Sequence, residues 1–163
     1  WKSLDELPDG DVIVSLISNG GAIWAFSLGG GWAEIDATDG SIHRRGALQF
    51  KSSVNQVWLG DDNEWLFGLS HNRMAWWIPD QDQLHMEISM GPIQDAKVSE
   101  GNWLITGWRE DIVWKKSDFS DEHSEPECTP RSEIGTRIVN RNGEGHWVLD
   151  NRGQWTPFAS KAD

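Results

Sequence analysis

The chain has 163 residues, 37% of them hydrophobic and 25% charged, the balance of one folded domain rather than of a disordered or fibrous polypeptide. No apolar run approaches the roughly 20 residues of a membrane-spanning helix. The 26 acidic side chains against 14 Lys and Arg leave a net charge of −12, which repels phosphate backbones, so neither membrane nor nucleic acid is an expected partner.

The single cysteine, Cys128, cannot form an internal disulfide, and no Cys/His spacing fits a zinc site. A single cysteine in the whole sequence makes the cytoplasm the expected location. The chain opens on Trp1 rather than on methionine, so it reads as processed or cut from something longer, and export is the alternative location. Twelve tryptophans stand beside no tyrosine at all.

Those tryptophans organise the chain. A leading segment, Trp1 to Leu7, is followed by a Pro8-Asp9-Gly10 turn. The first unit, about 11–50, runs through Val12-Ile13-Val14, a stretch from Gly21 to Phe26 anchored on Trp24, a second indole at Trp32, and Ile42 to Phe50. The second, about 51–91, has Val54 to Leu59, then Trp65, Trp77, and Leu84 to Met90. The third, about 92–135, repeats the order with Ala96-Lys97-Val98, Trp103 and Trp114. The fourth, about 136–163, has Arg137-Ile138-Val139, Trp147 and Trp155, and the chain ends where a fourth strand is due.

Turn residues such as Thr38-Asp39-Gly40 and Pro79-Asp80 separate short β-branched runs, while 17 glycines interrupt every window long enough for a helix. Four short strands per unit, at intervals of roughly 40 residues, predict an all-β fold of about four four-stranded blades around an axis. Residues 1–7 are placed as the missing strand of the last blade. Two alternatives stay open: half of a larger ring completed by a homodimer, or one domain of a longer protein.

The repeats resemble the β-propeller superfamily, with divergent WD-repeat-like or PQQ-like blades, across nearly the whole chain. The Gly-His and Trp-Asp dipeptides of WD repeats do not recur in place. The stretch from Glu34 to Ile42 is similar to the turn of quinone-dehydrogenase-type repeats but departs from it at His43 and Arg44. With that turn in one unit of four, no cofactor is expected. Asp150 to Trp155 echoes a sialidase Asp-box without its leading Ser or Thr.

Catalytic signatures are absent from the sequence. It has no nucleophile elbow, no phosphate-binding glycine loop and no His-Glu-x-x-His helix. The five histidines are dispersed, and Cys128 lies beside Glu127, an acidic neighbour that disfavours the thiolate. The acid-rich run 118–127 could offer oxygen ligands to calcium, but it lacks the alternation and glycine of a calcium loop and reads as a solvated connection, so no metal is expected.

A binding surface has two candidate locations. One loop after each anchor strand falls in register: Leu28 to Gly31, His71 to Arg73, Trp108 to Glu110, and Asn151 to Gly153. Three of the four carry an arginine (Arg73, Arg109, Arg152), whose planar fork suits carboxylate or phosphate groups, with Trp108 as a flat apolar neighbour. The plainer reading is that these are solubilising turn residues. The second location is an indole outside the repeat positions, Trp1, Trp58, Trp76 or Trp108. Trp76 cannot share a face with Trp77 on a strand, and an exposed indole could stack on a sugar or anchor a protein, the plainer reading being that it packs against the adjacent blade's other side.

The expected function is a non-enzymatic interaction module that presents loops to a protein or peptide. A carbohydrate-binding lectin is the first alternative, and a hydrolase or lyase at the channel mouth is the second.

Overall fold

The computed structural model describes residues 11–88, 91–115, 126–141 and 143–158. Fifteen strands fill it: β1 (Ile13–Asn19), β2 (Ala22–Ser27), β3 (Gly31–Asp36), β4 (Ile42–Ala47), β5 (Val54–Leu59), β6 (Trp65–Leu69), β7 (Arg73–Ile78), β8 (Gln83–Ile88), β9 (Ile93–Ser99), β10 (Asn102–Gly107), β11 (Glu110–Lys115), β12 (Glu127–Pro130), β13 (Gly135–Arg141), β14 (Gly145–Asp150) and β15 (Trp155–Pro157). They pair in chain order into four antiparallel meanders, β1–β4, β5–β8, β9–β12 and the three-stranded β13–β15. This is the predicted β-propeller architecture, one sheet per blade. The expected contribution of residues 1–7 to the last blade lies outside the described residues.

A four-stranded meander has two faces and cannot bury either against itself, so stability has to come from sheets stacking face to face. Three such junctions form. Trp24, Phe26 and half-buried Trp32 of the first sheet meet Trp65, Phe67 and Trp77 of the second. Ring centroids there are 5.1 Å apart for Trp24 and Trp65 and 5.0 Å for Trp32 and Trp77. On its other side the second sheet sets Leu66, Met74 and Trp76 against Trp103, Ile105, Ile112 and Trp114 of the third. The third junction is smaller, with Leu104 and Val113 against Ile138, Val148 and Phe158.

Each blade's first strand carries an irregularity one turn of the pleat from its start, and these align the sheets residue by residue. Leu16, Val57, Ala96 and Ile138 become equivalent, facing Ala25, Phe67, Ile105 and Val148 across the strand pair. In this frame the four anchor tryptophans are not equivalent. Trp65 and Trp103 precede their reference residues by two and point back toward the preceding blade. Trp24 and Trp147 precede theirs by one and point forward. An offset of one residue reverses the face of a strand, so a junction can take its indoles from either sheet. The second tryptophans divide in the same way, since Trp77 pairs with Trp65 and Trp114 with Trp103, whereas Trp32 lies opposite Phe26 and Trp155 opposite Leu149.

Polar ties reinforce the junctions. Arg44 on β4 donates to Glu34 at 2.6 Å and, across to the second blade, to Asp80 at 2.7 Å, and it lies 5.5 Å from the Trp24 ring. Those two carboxylates, Asp80 first, hold the Arg44 guanidinium above its ordinary pKa. Between the third and fourth blades, Asp95 accepts the backbone N–H of Ile138 at 2.7 Å.

Trp65 is fully buried in the first junction. Trp65→Ala is expected to cost about 3–5 kcal/mol in urea unfolding, whereas Val12→Ala, at an exposed position, is expected to stay within about 0.5 kcal/mol.

Candidate interaction face

In an up-and-down meander, the turn between second and third strands and the link from the fourth strand to the next blade leave at the same end of the sheet. Main-chain bonds show them interleaved. Leu48 N donates to Gly30 O at 2.9 Å and Val54 N to Leu28 O at 2.8 Å, Ser70 N to Ser53 O at 2.8 Å, Arg131 N to Arg109 O at 2.8 Å, and Asn151 N to Ile134 O at 2.9 Å. The four turns aligned from the sequence therefore do sit at one end of their sheets, each fastened to a neighbouring link.

Each turn is shaped differently. At the first, Asp11 accepts from Gly29 N at 3.0 Å and from the Ser27 hydroxyl. Burial pushes the Asp11 carboxyl up, but the hydrogen bonds from Ser27, Gly29 and Val12 outweigh it and hold the group below its ordinary value. Gly30, at φ +93°, passes so close to the next link that a Cβ would lie 2.6 Å from Leu48 O. At the second turn His71 and Asn72 both adopt positive φ, 62° and 56°, a reversal matched to the twist of the flanking strands. Ser70 Oγ lies 3.2 Å from His71 Nδ1.

The third turn lifts Trp108 to 48% exposure, because the link beneath it runs through Gly91, where a Cβ would meet Trp108 Cβ at 2.5 Å. At the fourth, Asp150 Oδ1 accepts from Arg152 N at 2.9 Å and Gln154 N at 2.8 Å, fixing the tip.

The sequence-selected residues fare unequally. Trp108 and Arg109 are exposed together at the third turn, and Arg73 is half-buried at the start of β7 beside exposed His71. Among the described residues, no carboxylate forms an ion pair with Arg73 or Arg109. Arg152 is exposed but pairs with Glu133 at 2.9 Å, at the rim of an open cleft of about 420 Å³ bounded also by Pro130, Asp150 and Gln154. Trp76 does not belong to this surface. It is 3% exposed and packs in the second junction, with His85 5.2 Å from its ring. A central sheet is covered on both faces, so Trp76 and Trp77 are both interior despite pointing opposite ways.

Sequence reasoning did not find the tether beneath the fourth turn. Arg131, in the link, donates to buried Asp111 of β11 and to Thr156 of β15, while Thr106 donates to Asp111 at 2.9 Å. Its members are spread from 106 to 156, so no local motif announces them. The acid-rich run has most of its length outside the described residues, and Cys128 is exposed on β12 with its thiol 3.6 Å from Pro126 O. Among the described residues no three His, Cys, Asp or Glu side chains gather as metal ligands, and no helix is long and apolar enough to cross a membrane.

Comparison with solved structures places this arrangement among propellers. The chain is similar to the computationally designed Ika4 protein, with 13% identity, a TM-score of 0.68, and 91% of each chain covered. It is also similar to the RRP9 WD40 repeats, at 12% identity and a TM-score of 0.60 over 91% of this chain and 51% of that one. Raptor from Chaetomium thermophilum aligns at 12% identity and a TM-score of 0.63, over 90% of this chain and 15% of that one. The chain thus spans about half of the WD40-repeat chain and a smaller part of Raptor. No family model and no curated protein matches the sequence. At these identities the likeness establishes the fold.

Asp111→Ala would leave Arg131 buried without its carboxylate, and a loss of about 3–5 kcal/mol is expected on denaturant unfolding. Asp11, with its folded pKa lowered, contributes stability that is present above its unfolded value near ~3.9 and is lost as pH falls through the folded value. Unfolding measured at about pH 6 and again at about pH 3 is expected to show a smaller acid-side loss for Asp11→Ala than for the unsubstituted chain.

Proposed function

We infer that the protein is a non-enzymatic interaction module whose turn-and-link face docks a protein or peptide partner. The observation that carries this reading is the pairing at the third turn: an indole held half out of the fold by a glycine link, next to Arg109. Tryptophan and arginine dominate binding hot spots because one gives a large rigid apolar surface and the other a directional fork. Arg73 lies on the adjacent turn, and a strongly acidic chain that keeps cationic side chains here favours a partner presenting carboxylates. The turns below them are fixed by main-chain bonds, so docking would order little new backbone.

Catalysis finds less support. Ser70 and His71 approach each other, but among the described residues no carboxylate orients His71 from its far side, as an activated hydroxyl requires. The carbohydrate reading rests on Trp108 as a stacking platform, yet the other three turns offer no exposed indole, and a lectin would reuse its pocket from blade to blade.

Peptide display selected on the intact chain tests this. Trp108→Ala is expected to weaken the selected binders by at least about thirtyfold, the size of a ~2 kcal/mol hot spot. Joint replacement of Arg73, Arg109 and Arg152 by alanine should weaken acidic binders further, while His43→Ala, on the outer strand β4, should leave binding unchanged. Binding that survives the triple replacement and Trp108→Ala would contradict the assignment, and binding of glycans in an array through Trp108 would replace it with the carbohydrate reading.

A further inference from the structure

Two residues beyond Val57, Ala96 and Ile138 stand Leu59, Val98 and Asn140, which pair with Trp65, Trp103 and His146. The third strands continue these rows with Trp77 and Trp114. In the fourth blade Phe158, just past β15, takes that place, its N–H donating to His146 O at 2.8 Å. All three rows face the preceding blade. A histidine therefore stands where the second and third blades carry an indole, and an asparagine where they carry Leu or Val.

The facing wall changes with it. In the second junction the Trp103 ring crosses to the second blade and lies over Gly60, where a Cβ would come within 2.6 Å of it, in one cluster with Leu66, Trp76 and Ile78. At the third junction Ser99 replaces Gly60, Val113 replaces Trp76 and Lys115 replaces Ile78, while Leu104 keeps the place of Leu66. With smaller or polar side chains on both walls, the apolar contact narrows to Leu104 and Val113 against Ile138, Val148 and Phe158. Beside it lies a cleft of about 480 Å³, within the size range of small-molecule sites.

The chemistry of this cleft is mixed. Leu104 and Val113 give it an apolar patch, Asn102, Asn140 and half-buried His146 give it polar groups, and Glu100 and Glu127 bring carboxylates. Lys115 Nζ is committed to Glu127 at 3.4 Å, whereas among the described residues no cation pairs with Glu100. The uncompensated charge at the cleft is therefore negative.

We propose that this cleft binds a small aromatic amine, its ring laid on Leu104 and Val113 in the space that an indole fills in the second junction, and its ammonium directed to Glu100. The ring supplies the packing that His146 and Val113 leave unmade, and the cation answers the unpaired carboxylate. The site lies at the opposite end of the sheets from Trp108 and is independent of what docks there.

Titration of the 163-residue chain with tryptamine, followed by amide NMR, tests the assignment. Saturable shifts are expected at the side-chain amides of Asn102 and Asn140 and at the His146 N–H, and Trp108→Ala should leave them unchanged. Glu100→Gln, on an exposed turn, should weaken binding about fivefold, as should replacing tryptamine by indole-3-propionate, the same ring with a carboxylate. His146→Trp restores the indole of the other junctions, so it should abolish the saturable shifts and raise the Tm by filling the cleft. Shifts that fail to saturate or that spread over the surface would overturn the proposal. So would indole-3-propionate binding as tightly as tryptamine, or tryptamine binding undiminished in both Glu100→Gln and His146→Trp.

Discussion

Everything in this molecule depends on the stacking of one twisted sheet on the next through large apolar side chains. A single meander of short strands exposes two faces and holds too few interior residues to persist alone. Laid against a neighbour, it removes large apolar side chains from water, at roughly 25 cal/mol for each Å² of apolar surface covered. The second sheet shows the consequence most fully. Trp65, Phe67 and Trp77 on one face and Leu66, Met74 and Trp76 on the other are all buried, because this sheet, like the third, is packed on both sides.

The same stacking separates structure from display. Packing constrains the strand faces, and the main-chain bonds between turns and links constrain the backbone at the sheet ends. The side chains at the turn tips are constrained by neither. Trp108 illustrates this freedom: its backbone is fastened between β10 and β11 and its Cβ rests against Gly91, yet its ring is free to meet a partner. Arg131 illustrates the limit, since a cation a short distance away is wholly committed to joining the third and fourth blades through Asp111 and Thr156.

Much of the architecture is legible in the sequence because period, β-branched runs and turn chemistry are local signals. The four units, their strand order and the alignment of the four turns follow from them. Which way an indole faces does not, because Trp24 and Trp65 look alike in a repeat alignment while differing by one residue in the sheet. For Trp76 the sequence leaves two readings, an exposed ligand platform or packing against the adjacent blade, because it does not say which sheets are covered on both faces; the structure buries it in the second junction. The Asp111–Arg131–Thr156 tether was invisible because its parts come together only after two blades have stacked.

The account is tested most directly by a double-mutant cycle across the first junction. Trp24 and Trp65 touch at 5.1 Å between ring centroids and belong to different blades, so their coupling measures the stacking itself. Unfolding of the two single alanine variants and of the double variant should give a coupling of about 0.5–1.5 kcal/mol. Strictly additive losses would show that the two indoles stabilise their own sheets separately, and would contradict the view that blade-to-blade packing holds this protein together.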